Sequence, residues 1–473
     1  MTPIGKPSGA PLANFDSIPW GKAQKIVRRL QMRIAKARKS GKTARVKALQ
    51  WTLTHSFYAK ALAVKRITSN KGKNTPGVDG VTLNTSGKKM RMVLSLKRRG
   101  YKPLPLRRVY IPKANGSKRP LGIPTMKDRS MQALYLLALE PAAEVTADPN
   151  SYGFRRHRRC ADAIAQCFIA LARTSSSVWV LEGDIRACFE NISHQWMLEN
   201  IPLDKRLLKL WLEAGVMKEG KLFPTSRGTP QGGIISPTLA NMVLDGLESV
   251  AKSAGKRNSK IHVIRYADDF VITGKNQEIL GEVRKAIMEF LEPRGLSLHP
   301  EKTSITHIDV GLTFLGQHLR KYSGKLLIKP DRLAARSYLI RAKRIIRVLC
   351  NNDLPAMVRK LNSLCRGWGY YHRHVVASRV FSRLDTIVFR NLFRRMFKFH
   401  SNKGKDWVYR KYWGSGISPV FRATDRRTKK SYYLVMLCSL GIRRHLKIRR
   451  DAIPFLPEYF EYLSRRRASS CLL

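Results

Sequence analysis

Apolar residues recur at helical spacing over 22–67. Ile26, Val27, Leu30 and Ile34 form one stripe, and Val46, Leu49 and Leu53 form another. Residues 71–80 (KGKNTPGVDG) break the period with Gly and Pro and read as a loop. Residues 107–112 (RRVYIP) and 119–124 (RPLGIP) read as two strands of a basic hairpin turning at ANGS. A helix is predicted over 127–140 and a buried strand over 178–184 (VWVLEGD). Residues 261–266 and 270–273 form a second hairpin with acids at its turn. Ile279, Val283, Ile287, Phe290 and Leu291 mark an amphipathic helix over 277–292. Residues 311–316 and 326–328 suggest a further pair of short strands. Beyond Pro330 the pattern turns helical and basic. Phe381, Leu384, Val388, Leu392 and Met396 make one stripe, ringed by Arg379, Arg383, Arg390, Arg394 and Arg395. After His400 the chain reads as loop and short aromatic segments.

With 473 residues, 43 % of them hydrophobic, the chain has material for two or more packed domains. Its net charge of +58 changes the picture most. A compact chain so charged repels itself unless a polyanion is near. Between Asp16 and Asp79 there are sixteen Lys or Arg and no acid, and between Glu301 and Glu458 there is no other Glu. The acids gather in the middle third, between two basic flanks. One basic run is explained by a solvated helix face; an imbalance over hundreds of residues points to RNA or DNA, with an anionic membrane surface ranked well below. No apolar run is long enough to span a bilayer, and the first twenty residues lack the pattern of a signal or transit peptide, so a cytoplasmic protein is expected. Seven scattered Cys, none in a C-x-x-C pair, argue against a disulfide framework and against a zinc site.

Two predicted strands end in carboxylates: Asp184, and the pair Asp268-Asp269. If the strands are neighbours in one sheet, these acids meet and repel unless a cation lies between them. Mg²⁺ takes such oxygen ligands together with substrate phosphates. Two such ions activate a 3′-hydroxyl and stabilise leaving pyrophosphate. Taken singly, Asp-Asp at a hairpin tip is more often turn chemistry, and Asp184 equally suits a helix cap.

The order of motifs decides between these readings. The segments 107–128 (RRVYIPKANGSKRPLGIPTMKD), 151–155 (SYGFR), 184–194 (DIRACFENISH), 227–241 (RGTPQGGIISPTLAN), 266–269 (YADD), 298–303 (LHPEKT) and 312–316 (LTFLG) resemble, in order, the blocks of group II intron-encoded reverse transcriptases with maturase activity. The loop at 71–80 is similar to the extra N-terminal block that this family shares with non-LTR retrotransposon enzymes. By this resemblance Asp184 and Asp268 hold two Mg²⁺ ions (Mn²⁺ as a substitute), with Asp269 assisting and the Ile185 carbonyl completing the shell. Lys113 and Arg119 clamp the triphosphate. Phe189 lies under the sugar and excludes a 2′-hydroxyl, although its plainer reading is a core Phe. Gln231 borders the nucleotide, and Lys302 protonates pyrophosphate. In the segment 366–374 (RGWGYYHRH), Arg366, Trp368, Tyr370, Tyr371 and Arg373 are expected to bind RNA, with a core role for the aromatic rings at even odds.

The implied fold is α+β, a right-hand polymerase. Fingers and a palm with a ferredoxin-like antiparallel sheet precede an α-helical thumb/maturase domain and a small basic C-terminal region. The expected partition is a tail at 1–20, an N-terminal extension and fingers at 21–175, a palm at 176–325, a thumb/maturase domain at 326–400 and a DNA-binding-like region at 401–473. Residues 407–413 (WVYRKYW), 442–447 (IRRHLK) and 454–462 fit the family's later pattern, whereas the paired cysteines of its HNH endonuclease are missing. A borrowed primer is therefore expected. Glu190 stands where relatives often have Asp. The implied function is RNA-directed DNA polymerisation joined to splicing assistance, with intron RNA, an RNA template with DNA primer, target DNA and dNTPs as partners and the oligomeric state left open. A pure splicing cofactor, a polymerase detached from any intron and an RNA-dependent RNA polymerase are the alternatives. The intact acids, the maturase-like helices and Phe189, respectively, weigh against them.

Overall fold

The computed structural model describes residues 14–112, 116–255, 259–349, 353–414, 420–425 and 427–471. Lys113 lies outside the described residues.

The N-terminal stripes become the helices Trp20–Lys39, Thr43–His55 and Phe57–Thr68. Val27, Leu30, Ile34, Leu49, Leu53, Val64 and Ile67 bury against the long helix Met126–Thr146. Each such side chain stabilises the fold by roughly 1.5–3 kcal/mol. The loop at 71–80 is pinned by Arg129, whose guanidinium donates to the carbonyls of Gly72 (3.1 Å), Thr75 and Pro124 (2.9 Å). A Cβ at Gly77 would stand 2.6 Å from the Thr125 backbone, so only glycine fits there.

The strands, in chain order, are β1 (Leu106–Pro112), β2 (Lys118–Ile123), β3 (Trp179–Asp184), β4 (Val216–Lys218), β5 (Lys221–Phe223), β6 (His262–Tyr266), β7 (Asp269–Gly274), β8 (Ser304–His307), β9 (Leu312–Phe314), β10 (Gln317–Tyr322) and β11 (Lys325–Pro330). The basic hairpin β1–β2 is extended by β4, which runs parallel to β1, and by β5. The central sheet is antiparallel in the order β6-β7-β3-β8. It separates two apolar cores. Leu181, Phe270 and Ile272 lie in the core that also holds the N-terminal helices, with the helix Gln277–Leu291 packed on β3 and β7. Val180, Ile264 and Val271 face the core that continues into the C-terminal helices. Side chains alternate along a strand, so Asp184 and Asp269 share the face of Val180 and Val271.

Two expectations are corrected. The segments 311–316 and 326–328 do not pair with each other: β10 lies between β9 and β11. Its sequence, QHLRKY, hides the alternation because Gln317 and Lys321 are buried beside Leu319. The aromatic segment after His400 is a helix, Lys405–Trp413, with Asp406 in its first turn and Val408, Tyr412 and Trp413 buried. The helices Arg332–Leu349, Leu354–His372 and Ser378–Phe399 precede it. The β10–β11 hairpin thus runs across the boundary expected at 325/326, and the helical region across the one expected at 400/401. Among the described residues, no helix is long and apolar enough to cross a membrane.

Candidate functional site

Asp184, the last residue of β3, stands directly opposite Asp269, the first residue of β7. Tyr266 pairs with Asp269 across the β6–β7 hairpin, leaving Ala267 and Asp268 as its two-residue turn. Asp184 and the pair Asp268-Asp269, far apart in sequence, therefore meet at one end of the sheet. Ala267 has φ +60°, a conformation that costs a residue with a Cβ roughly 1–2 kcal/mol. The surroundings hold it there. Buried Arg265 donates to the Ala267 carbonyl (3.4 Å), to Asn241 Oδ1 (3.2 Å) and to Asp245 Oδ1 (2.7 Å). Asn241 Nδ2 donates to the Gly153 carbonyl at 2.8 Å. Residues 150–152 run alongside β6, bonded at Tyr152 N to Arg265 O (2.8 Å) and Arg265 N to Asn150 O (3.0 Å). The SYGFR and PTLAN segments are thus the mount of the acidic turn.

Burial raises the pKa of Asp268, Asp184 adds to the rise, and Arg119 and Lys302 oppose it. Asp269 is pushed up to about 6 by burial, then by Asp268 and Asp184. Glu182, two residues before Asp184 on the same face, is pushed up to about 7 by burial, then by Asp269 and Asp184. This fourth acid was missed at the sequence level, although period-two spacing on β3 was enough to find it. Lys302 Nζ lies 2.5 Å from Asp184 Oδ2, and its pKa is raised by that hydrogen bond. The ammonium stands where a cation neutralising these acids would. The 298–303 segment is docked beside it: His299 N donates to Asp184 O at 2.7 Å, and Ile185 bridges Leu298. Among the described residues, no three His, Cys, Asp or Glu are placed to hold a metal ion by themselves. The donors are oxygens with surplus negative charge at one edge. That suits a hard divalent ion which shares its shell with substrate phosphates.

Phe189 and Gln231 line a cavity of about 510 Å³ below the β1–β2 hairpin, together with Glu190, Tyr110, Arg227 and Gly122. The 227–233 loop is tied in at both ends. Thr229 N donates to Phe189 O (2.7 Å), and Gly122 N donates to Gln231 O (2.8 Å). A Cβ on Gly232 (φ +114°) would meet Gly122 O at 2.9 Å. Phe154 packs edge-on to Phe189 at 6.4 Å. Arg119 is exposed on β2, near enough for its charge to act on Asp268.

The five RNA-binding candidates separate. Trp368 packs against Tyr338 (5.1 Å), His372 (4.2 Å) and Phe381 (5.8 Å), the core role left open for it. Arg366 is exposed. Tyr370, Tyr371 and Arg373 open onto a cleft beside Tyr266.

Three family descriptions match in succession: "N-terminal domain of reverse transcriptase" over 15–96, "Reverse transcriptase (RNA-dependent DNA polymerase)" over 111–319, and "Group II intron, maturase-specific domain" over 339–413. Protein YkfC of Escherichia coli K12 is 32 % identical over 338 residues, covering 62 % of this chain and 88 % of that protein. The group II intron-encoded protein LtrA of Lactococcus lactis is 30 % identical over 341 residues, covering 56 % of each chain. Among solved structures, an apo telomerase from Candida tropicalis aligns with TM-score 0.38 and 15 % identity over 48 % of this chain and 55 % of that one.

Proposed function

Because the chain belongs to the group II intron reverse transcriptase/maturase family, we propose that it copies intron RNA into DNA at the edge formed by Asp184, Asp268 and Asp269. The observation that carries this reading is the register of Asp184 against Asp269, with Asp268 in the adjoining turn. In this reading the central sheet is the palm, the β1–β2 hairpin belongs to the fingers, and the helices from Arg332 onward are the thumb/maturase region.

Asp184, Asp268 and the Ile185 carbonyl would hold the metal, with Asp269 tuning the charge. Bound there, two Mg²⁺ ions (or Mn²⁺) would supply activation of the primer 3′-hydroxyl and charge stabilisation on pyrophosphate. Lys302 now neutralises Asp184. Its side chain is 62 % exposed, so it is free to swing from the carboxylate and give a proton to the leaving group. Arg119, on β2, and Lys113 would bind the triphosphate through charge-assisted hydrogen bonds. Phe189 and Gln231 share one cavity wall, where an aromatic ring would exclude a ribose 2′-hydroxyl. The exposed Arg residues of the helical region would hold intron RNA for splicing, and target DNA would be engaged for mobility. Primer extension on an RNA template with Mg²⁺ tests the reading; wild-type protein inert on every templated primer would end it.

A further inference from the structure

The cavity wall shared by Phe189 and Gln231 is built from two segments, 189–190 and 227–231. Backbone contacts press them together. Gly228 N donates to Ile192 O at 2.8 Å, and Thr229 N donates to Phe189 O at 2.7 Å. Gly228 is buried at φ +84°, and a Cβ there would stand 2.6 Å from Glu190 O and 2.7 Å from Phe189 O. The loop thus lies directly on the backbone of the residue that carries the ring.

A side chain joins the two segments as well. His194 Nε2 lies 2.7 Å from the Gly228 carbonyl oxygen. His194 opens the helix His194–Asn200, whose start is fixed twice. Ser193 Oγ accepts from Trp196 N at 3.2 Å, and Ser193 N donates to Arg294 O at 2.8 Å. The imidazole therefore projects from a held backbone. A carbonyl oxygen only accepts, so Nε2 must carry the proton. Burial lowers the His194 pKa, with the Gly228 carbonyl opposing the shift, so the ring is neutral at neutral pH and Nδ1 is bare. His194 itself stands outside the cavity lining. Beyond Gly228 the loop is held by other residues. Thr229 Oγ1 donates to Ser236 Oγ at 2.9 Å, and Ile234 N donates to Gln132 Oε1 at 3.0 Å. Removing the imidazole takes the His194 donor from the carbonyl of a buried residue, a loss that favours a shift of the loop.

We propose that His194 is a positioning residue for sugar selection: its hydrogen bond to Gly228 fixes the spacing between the Phe189 ring and Gln231, and so the room left for a 2′-hydroxyl. The inference rests on the polymerase reading above and on the place it gives Phe189. Without the bond, residues 228–231 draw away from Phe189. The space so opened admits a ribose although the ring is unchanged.

The test uses the full chain carrying His194→Gln, whose amide donates from near the place of Nε2, or His194→Leu, which keeps bulk and cannot donate. Matched rNTP and dNTP are offered on an RNA template with a DNA primer. His194→Leu should lower the dNTP-over-rNTP ratio of kcat/KM by about fivefold or more, chiefly through a lower KM for rNTP. His194→Gln should keep the ratio within about twofold of wild type, because the donor is retained. Added to Phe189→Val, His194→Leu should change the ratio by less than about twofold more, because both act on one space. Circular dichroism checks folding. If His194→Leu does not fold, His194→Asn takes its place, since its shorter amide stops short of Gly228. Slower dNTP turnover at an unchanged ratio would overturn the inference and leave His194 a structural residue. So would a Gln variant as unselective as the Leu one, or effects of His194→Leu and Phe189→Val that simply multiply. A wild type that extends no primer would instead overturn the polymerase reading.

Discussion

Gly153 lies against the backbone of Ala267 so closely that a Cβ added to it would stand 2.4 Å from the Ala267 nitrogen. Ala267 precedes Asp268 in the hairpin turn, so a methyl group at 153 has no space unless the turn moves. The Gly153→Ala variant should fold with normal helix content by circular dichroism. Its extension rate should fall by about tenfold or more, because an ångström-scale shift of a reacting group is costly. Unchanged extension by this variant would mean that the turn tolerates displacement and that the mount is not under tight constraint.

Asp268 separates chemistry from binding. Asp268→Asn keeps the shape of the turn and removes an ionisable oxygen, while the arginines proposed to meet RNA lie elsewhere. Primer extension should vanish while filter binding of intron RNA stays nearly intact. Loss of binding with extension retained would reverse the assignment.

The sequence reached the acids because strand pattern and motif order are local. VWVLEGD and YADD declare buried strands ending in carboxylates, and the structure pairs Asp184 with Asp269 in register. It did not reach what supports them. Arg265 reads as a stray charge in a strand, yet it is buried and bonded to Asn241 and Asp245 from another segment. The strand β10 was invisible because its buried face is mostly polar, satisfied by partners that only the tertiary fold brings. One such contact is Gln317 with His372 at 2.9 Å. Trp368 was ambiguous for the same reason: a ring among Arg and His residues declares neither core nor surface until its neighbours are known.

Phe189 shares a cavity wall with Gln231 and the β1–β2 hairpin, where an incoming sugar would lie. Shortening the side chain opens space for a 2′-hydroxyl. Phe189→Val should raise ribonucleotide incorporation relative to deoxyribonucleotide by at least about tenfold, the discrimination that one or two methylene-sized groups in a pocket wall can supply. Competition assays with matched rNTP and dNTP check it, and an unchanged ratio removes the gate role.

The acids themselves predict a pH signature. Asp269 and Glu182 have folded-state pKa values of about 6 and about 7, above those of the unfolded chain, because burial and mutual repulsion disfavour their charged forms. The unfolded chain therefore holds fewer protons on these groups than the folded one between pH 4 and 7. Their contribution to stability is full below the unfolded pKa and is lost as pH rises through the folded values. A divalent cation at this edge needs the carboxylates ionised and offsets their repulsion, so its binding releases protons. Burial lowers the pKa of His372 and His374 to about 4, which pulls Tm the other way over this range, so the share set by the two acids is read as wild type minus the Glu182→Gln, Asp269→Asn variant. Without metal that difference in Tm should fall from pH 5 to 7.5. Mg²⁺ should raise the wild-type Tm more at pH 7.5 than at pH 5, and in the variant this pH dependence of the Mg²⁺ effect should flatten, because neither replacement titrates. Thermal melts at the two pH values, with and without Mg²⁺, decide it. An equal Mg²⁺ effect at both, or a variant with the wild-type profile, would show that the acids are already ionised and that the charge at this edge is balanced by Lys302 alone.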